Sequence, residues 1–491
     1  MLFMTKSKKC VILSASEGSQ EVLHFVQNDK GIMLEDVQKI HVIGVGGIGI
    51  SAAAKFLLAR GKTVSGSDLH PSAITKAVEQ AGGKVFSGHA ASNVADGTEL
   101  VIYSPAVLES NVERVHAKEL GIPQMSYPEF LGELSKDYST IVVTGTNGKS
   151  TTTAMVALML EEAGYDPTVI VGSLVPSFPQ GNLRLGKGRF LVVEGCEYRA
   201  HMLHLNPEMI VLTNIEEDHL DYYRDLDHIR ETFQTFVDKL IGKGLLVHNG
   251  NDPESKKLAA DRAVTFGYKT KTDYASRNRK TEMGKQSFMV FRSGEKEETL
   301  GRVTLNIPGA FNMMNALAAI SAALELGVPF ETCQRVLENF TGIWRRFERV
   351  GVWKGADVIS DYGHHPTAIR DTIAAAREFF PQRRIVLCFQ PHQHSRTKEL
   401  LDQFVETVHD ADAIVVPEIY KVVGRTEKEE SEVSSRDLVN QIKKKDPAKE
   451  IHHAKDLKEA EKVLRDLVKP ADVLIIQGAG DVDDLARKIA A

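Results

Sequence analysis

Thr144-Gly145-Thr146-Asn147-Gly148-Lys149-Ser150-Thr151-Thr152-Thr153 joins an apolar, β-branched run, Thr140-Ile141-Val142-Val143, to the helix-forming stretch Ala154 to Gly164. The run reads as a buried strand, and the stretch as a helix closed by a glycine C-cap. Strand, glycine turn, lysine, hydroxyls and helix together make a phosphate cradle. Backbone N–H groups at such a turn point at an anion, and the helix dipole favours negative charge there. In this layout Gly145, Thr146, Asn147 and Gly148 wrap the phosphates of ATP. Lys149 reaches the β- and γ-phosphates, and Ser150 or Thr151 places a hydroxyl on Mg²⁺. The common P-loop pattern needs a further glycine at position 143, which is Val here, so the loop is a compact variant.

Upstream, the strand Lys39-Ile40-His41-Val42-Ile43 feeds Gly44-Val45-Gly46-Gly47-Ile48-Gly49 and then a helix through Arg60. A second strand, Thr63 to Gly66, ends in Ser67-Asp68. This is a dinucleotide fingerprint. Gly44, Gly46, Gly47 and Gly49 permit the tight turn and close approach of a diphosphate, and Asp68 suits a ribose hydroxyl. The fingerprint leaves NAD, FAD and a UDP-sugar open, since all present a diphosphate. Two further strand ends carry polar residues, His89 after Val85-Phe86-Ser87-Gly88 and Ser104 after Glu99 to Tyr103.

Downstream, the strand Arg189 to Val193 delivers Glu194 to its C-terminal end, where open α/β sheets place ligand-binding groups. A carboxylate there can hold Mg²⁺ against a triphosphate; Glu197 is a weaker candidate. The strand Glu208 to Asn214 leads into Glu216-Glu217-Asp218-His219-Leu220-Asp221, where Asp218 and Asp221 suit helix caps equally well. Residues 250–306 read as a peripheral, mixed part, with Lys269 to Lys285 as exposed loop or short strands. Asn312 and Asn315 share one face of a helix from Met313 to Gly327. Thr341 to Phe347 reads as a hinge. A strand, Ala356 to Ser360, then leads into Asp361-Tyr362-Gly363-His364-His365-Pro366, and another, Arg384 to Phe389, into Gln390-Pro391-His392-Gln393-His394-Ser395-Arg396-Thr397. The paired histidines invite a zinc reading, but adjacent turn residues rarely share one metal and the later sequence has no matching partner spacing.

A chain of 491 residues holds about three domains. Its hydrophobic content of 42% and charged content of 26% are ordinary for a globular protein. The net charge of −6 argues against a nucleic-acid binder. No apolar run approaches the roughly 18 residues that span a bilayer, so no membrane association is expected. Cys10, Cys196, Cys333 and Cys388 have neither disulfide nor metal spacing, which points to a reduced, cytoplasmic setting. Residues 1–35 fit poorly with the rest of the chain. They read as an extension, disordered or a misassigned start ahead of Met33, without the apolar core of a signal peptide.

The compact loop Gly145 to Thr151 resembles that of the Mur ligase family. So do Thr213-Asn214 with Asp218-His219 and Asp221, Asp361 to Pro366, Gln390-Pro391-His392 with Arg396-Thr397, and Gly478-Ala479-Gly480-Asp481. The resemblance spans residues 36–491. It implies a three-domain α/β fold: an N-terminal Rossmann-like UDP-sugar-binding domain (36–138), a central P-loop ATPase-type α/β domain (139–343) and a C-terminal Rossmann-like, amino-acid-binding domain (344–491). It also implies an ATP- and Mg²⁺-dependent ligase of peptidoglycan precursor synthesis. The carboxylate of UDP-N-acetylmuramate would be activated as an acyl phosphate and joined to L-alanine.

The resemblance further implies residue roles. Ser67, Asp68, His89 and Ser104, with the four glycines, would hold the UDP-sugar. Ser150, Glu194 and His219 would hold Mg²⁺, and Asn312, Asn315 and Asp361 would meet the nucleotide. Arg346, favoured over Arg345 by its place before Phe347, would reach the γ-phosphate. Tyr362, His364 and Arg396 would face the amino acid, with Arg396 gripping its carboxylate. Lys149, Glu194, His219, Arg346 and His364 are the catalytic candidates. One departure stands out: Glu194-Gly195-Cys196-Glu197-Tyr198-Arg199 replaces the Glu-Ala-Asp-Glu-Ser-Asp usual in alanine-adding members. The runner-up is a branch that recycles a whole tripeptide, whose N-terminal glycine motif usually carries a Cys-Gly-Thr sequence unlike Gly44 to Gly49. An NAD-dependent oxidoreductase fits the first domain alone, but hydride transfer has no need of the phosphate loop or Glu194. A non-catalytic scaffold would not need Lys149, Glu194 and His219 together. The oligomeric state is left open.

Overall fold

Three β-sheets, each flanked by helices, carry the chain. The computed structural model describes residues 34–220, 222–240, 242–282, 284–421 and 432–491. Most of the extension, with Cys10 and Met33, lies outside the described residues, as does Asp221. Residues 37–491 form one unit. The arrangement is the three-domain α/β architecture expected from the sequence.

The first sheet has the spatial order Lys84–Ser87, Thr63–Asp68, Lys39–Ile43, Leu100–Tyr103, Gln124–Ser126, parallel throughout. Sheet growth reverses between Lys39–Ile43 and Leu100–Tyr103. That switch point is where open α/β sheets bind ligands, and the glycine turn opens there. Gly44 has φ +79°, and a Cβ on it would lie 3.0 Å from that of Ser104.

The second sheet has ten strands, and its middle positions the phosphate loop. Ser139–Thr144 lies between Met209–Leu212 and Phe190–Gly195, parallel to both. Register pairs Val143 with Glu194 and Thr144 with Leu212. The loop, Glu194 and the segment behind Leu212 therefore emerge side by side. The middles of these strands are apolar and buried because helices cover the sheet. Lys149–Glu162, Ala310–Glu325 and Phe330–Asn339 share one core with them, through residues such as Met155, Ile320 and Leu337. The polar tract expected as loop or short strands contains a nine-residue strand, Tyr274–Glu282, in an antiparallel extension with Lys285–Arg292 and Glu298–Leu305. From Arg277 onward its residues alternate half-buried and exposed, so one face tolerates the charged sequence that hid it.

The third sheet has the order Glu348–Trp353, Ala356–Asp361, Val473–Gln477, Ile385–Phe389, Ala413–Pro417, Glu450–Ala454; the first strand alone is antiparallel to its neighbour. Two apolar clusters, centred on residues such as Ile475 and Leu474, lie on its opposite faces.

Specific polar contacts join the layers. Lys55, on the helix after the first glycine turn, donates to Asn182 Oδ1 and the Gln180 carbonyl. The Asn182 amide donates back to Ser51 Oγ at 2.9 Å. Burial brings the Lys55 ammonium down to about 8. At the hinge, Trp344 N–H donates to the Leu174 carbonyl and Ser173 Oγ to the Trp344 carbonyl, both at 2.9 Å. Farther out, Arg279 forms a two-pronged ion pair with Glu378 of the third domain.

Candidate active site

A cleft of about 590 Å³ lies where the second and third sheets face each other, and Ile48 of the first domain also reaches it. The phosphate loop forms its floor. Gly145 has φ +128° and Gly148 φ +84°. A Cβ on Gly145 would sit 2.2 Å from Thr213 Oγ1, and one on Gly148 2.2 Å from Asn315 Oδ1. Only glycine fits either place, both sterically and conformationally.

Gly148 caps the helix Lys149–Glu162, so the first N–H groups of that helix face the cleft. Lys149 Nζ folds over the loop. It donates to the carbonyls of Gly145 (2.7 Å) and Thr146 (3.0 Å) and lies 2.8 Å from Glu197 Oε2. Burial alone would lower its pKa, but the Glu197 carboxylate outweighs this and holds it above its usual value. Glu197, the weaker candidate by sequence, is thus the ion-pair partner of the loop lysine. Burial opposes its ionisation, yet Lys149 and His219 hold its pKa below the ordinary carboxylate value.

Ser150 Oγ donates to Glu194 Oε2 at 3.0 Å, and the other Glu194 oxygen accepts the Gly172 N–H. Burial raises the Glu194 pKa. Ser150 and Glu194 are hard oxygen donors that fit Mg²⁺, an ion that keeps several ligands from phosphate and water. No group of three or more His, Cys, Asp or Glu able to hold a metal occurs among the described residues. His219, with φ +56°, lies against Tyr198 with ring centroids 4.7 Å apart and planes tilted by 51°, and places Nε2 3.7 Å from both Glu197 Oε1 and Asp218 Oδ2. Asp218 caps no helix. The cap of the next helix, Leu226–Val237, is Asp225, and Asp218 instead accepts from Arg396 Nη2 at 3.1 Å.

From the third domain, Tyr362, His364 and Arg396 all line the cleft. His364 Nδ1 lies 3.2 Å from the Tyr362 carbonyl, an acceptor only, so Nδ1 carries the proton and Nε2 the lone pair. Burial, then Arg396 and His392, push the His364 pKa well below its ordinary value, so the ring is neutral. The two hinge arginines diverge. Arg345 (φ +56°) is buried and donates to the carbonyls of Gly478 and Gly480. Arg346 lies over the Tyr362 ring, 4.7 Å from its centroid, and lines the cleft. Asp361 also lines it, but its oxygens accept from Phe347 N–H (2.8 Å), Gly363 N–H (2.7 Å) and the Gln477 amide (2.9 Å), which fixes the hinge to the sheet. Asn315 faces the cleft beside Gly148. Asn312 does not line it; its amide donates to the Pro308 carbonyl at 2.7 Å, and its Oδ1 accepts from Asn315.

Around the first glycine turn, Gly46 N–H donates to Asp68 Oδ2 at 2.8 Å, so Asp68 closes over the turn. Ser67 and His89 converge on Glu113, a residue that no sequence motif marks. Glu113 is fully buried, accepts from Ser67, Ala90 N–H and Asn93, and lies 3.2 Å from His89 Nδ1. Burial would raise its pKa, but hydrogen bonds from His41, Ser67 and Asn93 bring it to about 2. A charged residue in a short, mostly polar helix gives no sequence signal of such a role.

A diphosphate-type glycine turn, a phosphate loop backed by carboxylates, and a third sheet presenting an arginine and a neutral histidine define a nucleotide-dependent enzyme assembled from three α/β domains. The chain belongs to the Mur ligase family. Its residues 143–323 match the Mur ligase middle domain, 39–139 the family's catalytic domain and 345–480 its glutamate ligase domain. A UDP-N-acetylmuramate–L-alanine ligase of Geotalea uraniireducens is 41% identical over 454 residues, covering 92% of this chain and 97% of the relative. The crystal structure of UDP-N-acetylmuramate–alanine ligase from Thermotoga maritima superposes with a TM-score of 0.80 at 32% identity, over 92% of this chain and 98% of that one. A murein peptide ligase from Psychrobacter arcticus shares the fold, with a TM-score of 0.71 at 24% identity, over 92% of this chain and 98% of that one.

Proposed function

We propose that this chain joins L-alanine to the carboxylate of UDP-N-acetylmuramate, with ATP converted to ADP and phosphate, in the cytoplasmic stage of peptidoglycan precursor synthesis. The reaction has two steps. The sugar-linked carboxylate attacks the γ-phosphorus of ATP, the bond to the β-phosphate oxygen breaks, and an acyl phosphate forms. The amine of L-alanine then attacks the acyl carbon, and phosphate leaves. The observation that carries this reading is the convergence of Lys149, Glu194, Arg346, His364 and Arg396 on one cleft beside the phosphate loop.

The residues act mainly by positioning and charge neutralisation. Lys149 and the loop N–H groups hold the phosphates, and Lys149 leaves Glu197 to do so. Arg346 stabilises charge on the transferring group from across the hinge, so the site is complete only when the domains meet. Mg²⁺, held by Ser150 and Glu194 with His219 nearby, would offset repulsion between the attacking carboxylate and the triphosphate. Gly44, Gly46, Gly47 and Gly49, with Ser67, Asp68, His89 and Ser104, would hold the UDP moiety at the first switch point, a reading supported by the reversal of strand order there.

Alanine arrives as an ammonium and must lose a proton before it attacks. His364 Nε2 carries the lone pair that accepts it. A substrate carboxylate on Arg396 cancels part of the positive field that depresses the His364 pKa, so bound amino acid strengthens its own base.

Phosphate release from ATP with UDP-N-acetylmuramate tests the reading. L-Alanine should stimulate it at least about a hundredfold over no amino acid, with the product, UDP-N-acetylmuramate bearing one amide-linked alanine, detected by mass. Stimulation by the tripeptide alone would transfer the chain to the recycling branch.

A further inference from the structure

Arg396 and Asp218 meet across the cleft although nothing in the proposed reaction requires them to. Arg396 comes from the helix His394–Glu399 in the third domain, and Asp218 from the segment behind Met209–Leu212 in the second. Their side chains are only 11% and 15% exposed, and Nη2 donates to Oδ1 at 3.1 Å. The other Asp218 oxygen faces His219 Nε2 at 3.7 Å, which in turn faces Glu197 Oε1 at the same distance. Glu197 pairs with Lys149 at 2.8 Å. Both cations assigned to substrate anions thus hold a protein carboxylate, and one histidine separates the two pairs.

We propose that Asp218 is a stand-in for the carboxylate of the incoming amino acid, holding Arg396 until a cation beside His219 draws it off. The inference rests on the assignment of Arg396 to the amino-acid carboxylate. A guanidinium grips a carboxylate through a limited set of N–H groups. At Arg396, Nη2 holds Asp218, and Nη1 lies 3.5 Å from His392 Nδ1. A free amino acid meets a guanidinium already neutralised at Nη2 by Asp218, so its own carboxylate gains less there. Mg²⁺ brought with the nucleotide and held near His219 would offer the second Asp218 oxygen an opposite charge and so free Arg396. Amino acid then binds late, after the phosphates are in place. Asp218 is a positioning residue in this scheme, acting through Arg396 and never on the reacting atoms.

Calorimetric titration of L-alanine into the full chain tests this, with and without Mg²⁺ and a non-hydrolysable ATP analogue. Wild-type affinity should rise at least about tenfold with the analogue present. Asp218→Asn keeps the shape and removes the charge. It should bind alanine at least about tenfold tighter than wild type without nucleotide, and gain less than about twofold from adding it. Asp218→Ser, checked like the first variant by thermal unfolding, gives the same reading should the asparagine variant fold poorly. Unchanged alanine affinity in these variants, beside a wild-type site that does bind alanine, overturns the stand-in alone. Full alanine affinity in Arg396→Ala, or a wild type that takes no alanine with any ligand set, overturns the amino-acid site and the stand-in with it.

Discussion

Gly148 shows how much one residue decides. Its positive φ turns the loop so that the helix N-terminus faces the cleft, and Asn315 fills the space a side chain would need. Gly148→Ala brings about 1–2 kcal/mol of left-handed strain and pushes Asn315 aside. Nucleotide affinity should fall at least about tenfold, measured by fluorescence titration with an ATP analogue, alongside a lowered Tm. Unaltered affinity would refute the tight fit of the loop against Asn315. The hinge makes a similar point. Arg345 and Arg346 are neighbours in sequence, yet one anchors carbonyls inside the third domain and the other lines the cleft over Tyr362. Left-handed residues at His219, Arg345 and Gln393 all border the cleft, each at a cost of about 1–3 kcal/mol.

Among the elements, the helix Val112–Glu119 carries the most consequence for its size. Its Glu113 ties together the ends of two neighbouring strands through Ser67 and His89. Replacing this buried, fully satisfied carboxylate by Glu113→Gln leaves an amide facing several donors. It should cost about 3 kcal/mol of stability, read by chemical denaturation at pH 7, and weaken binding of the UDP-sugar. The same carboxylate sets a pH dependence. Its folded pKa lies near 2, below the unfolded value near 4.5, so its contribution is complete above about 4.5 and disappears as pH falls toward 2. Wild type should therefore lose more stability than Glu113→Gln between those limits, and parallel pH profiles would contradict that role. The strand Lys285–Arg292 and its neighbours are another lesson at this scale. They bury alternate residues on the edge of a large sheet, and a charged outer face concealed them in the sequence.

For the whole molecule, the proposed function depends on the second and third domains meeting. Arg396–Asp218 and Arg279–Glu378 both bridge them, the first inside the cleft and the second outside it. The outer pair is partly exposed, so its removal is worth at most about 1 kcal/mol. Arg279→Ala should therefore raise the apparent KM for ATP by no more than about fivefold and leave kcat within about twofold. Steady-state kinetics at two ionic strengths would check this, and a large loss of kcat would mean that the pair shapes the site itself. Contacts between the first and second domains are of another kind. Lys55 and Asn182 are buried, so the first domain is docked through desolvated hydrogen bonds that tolerate little substitution.

Local spacing alone determined the phosphate loop, the first glycine turn and the strand end that carries Glu194, whereas His219, His364 and Arg396 were marked only by the resemblance of their motifs to the family's. Turns of that type need glycine where φ is positive, and a helix start needs its small and hydroxyl residues at fixed offsets, so the chemistry is written in consecutive residues. The partners of those groups are written nowhere in the local sequence. That Lys149 holds Glu197, that Arg396 holds Asp218, that Ser67 and His89 share Glu113, and that Asn312 turns inward while Asn315 faces the loop were all decided by tertiary structure. A charge pair between residues far apart in the chain depends on strand register and on how whole layers pack, and no short stretch of sequence encodes either.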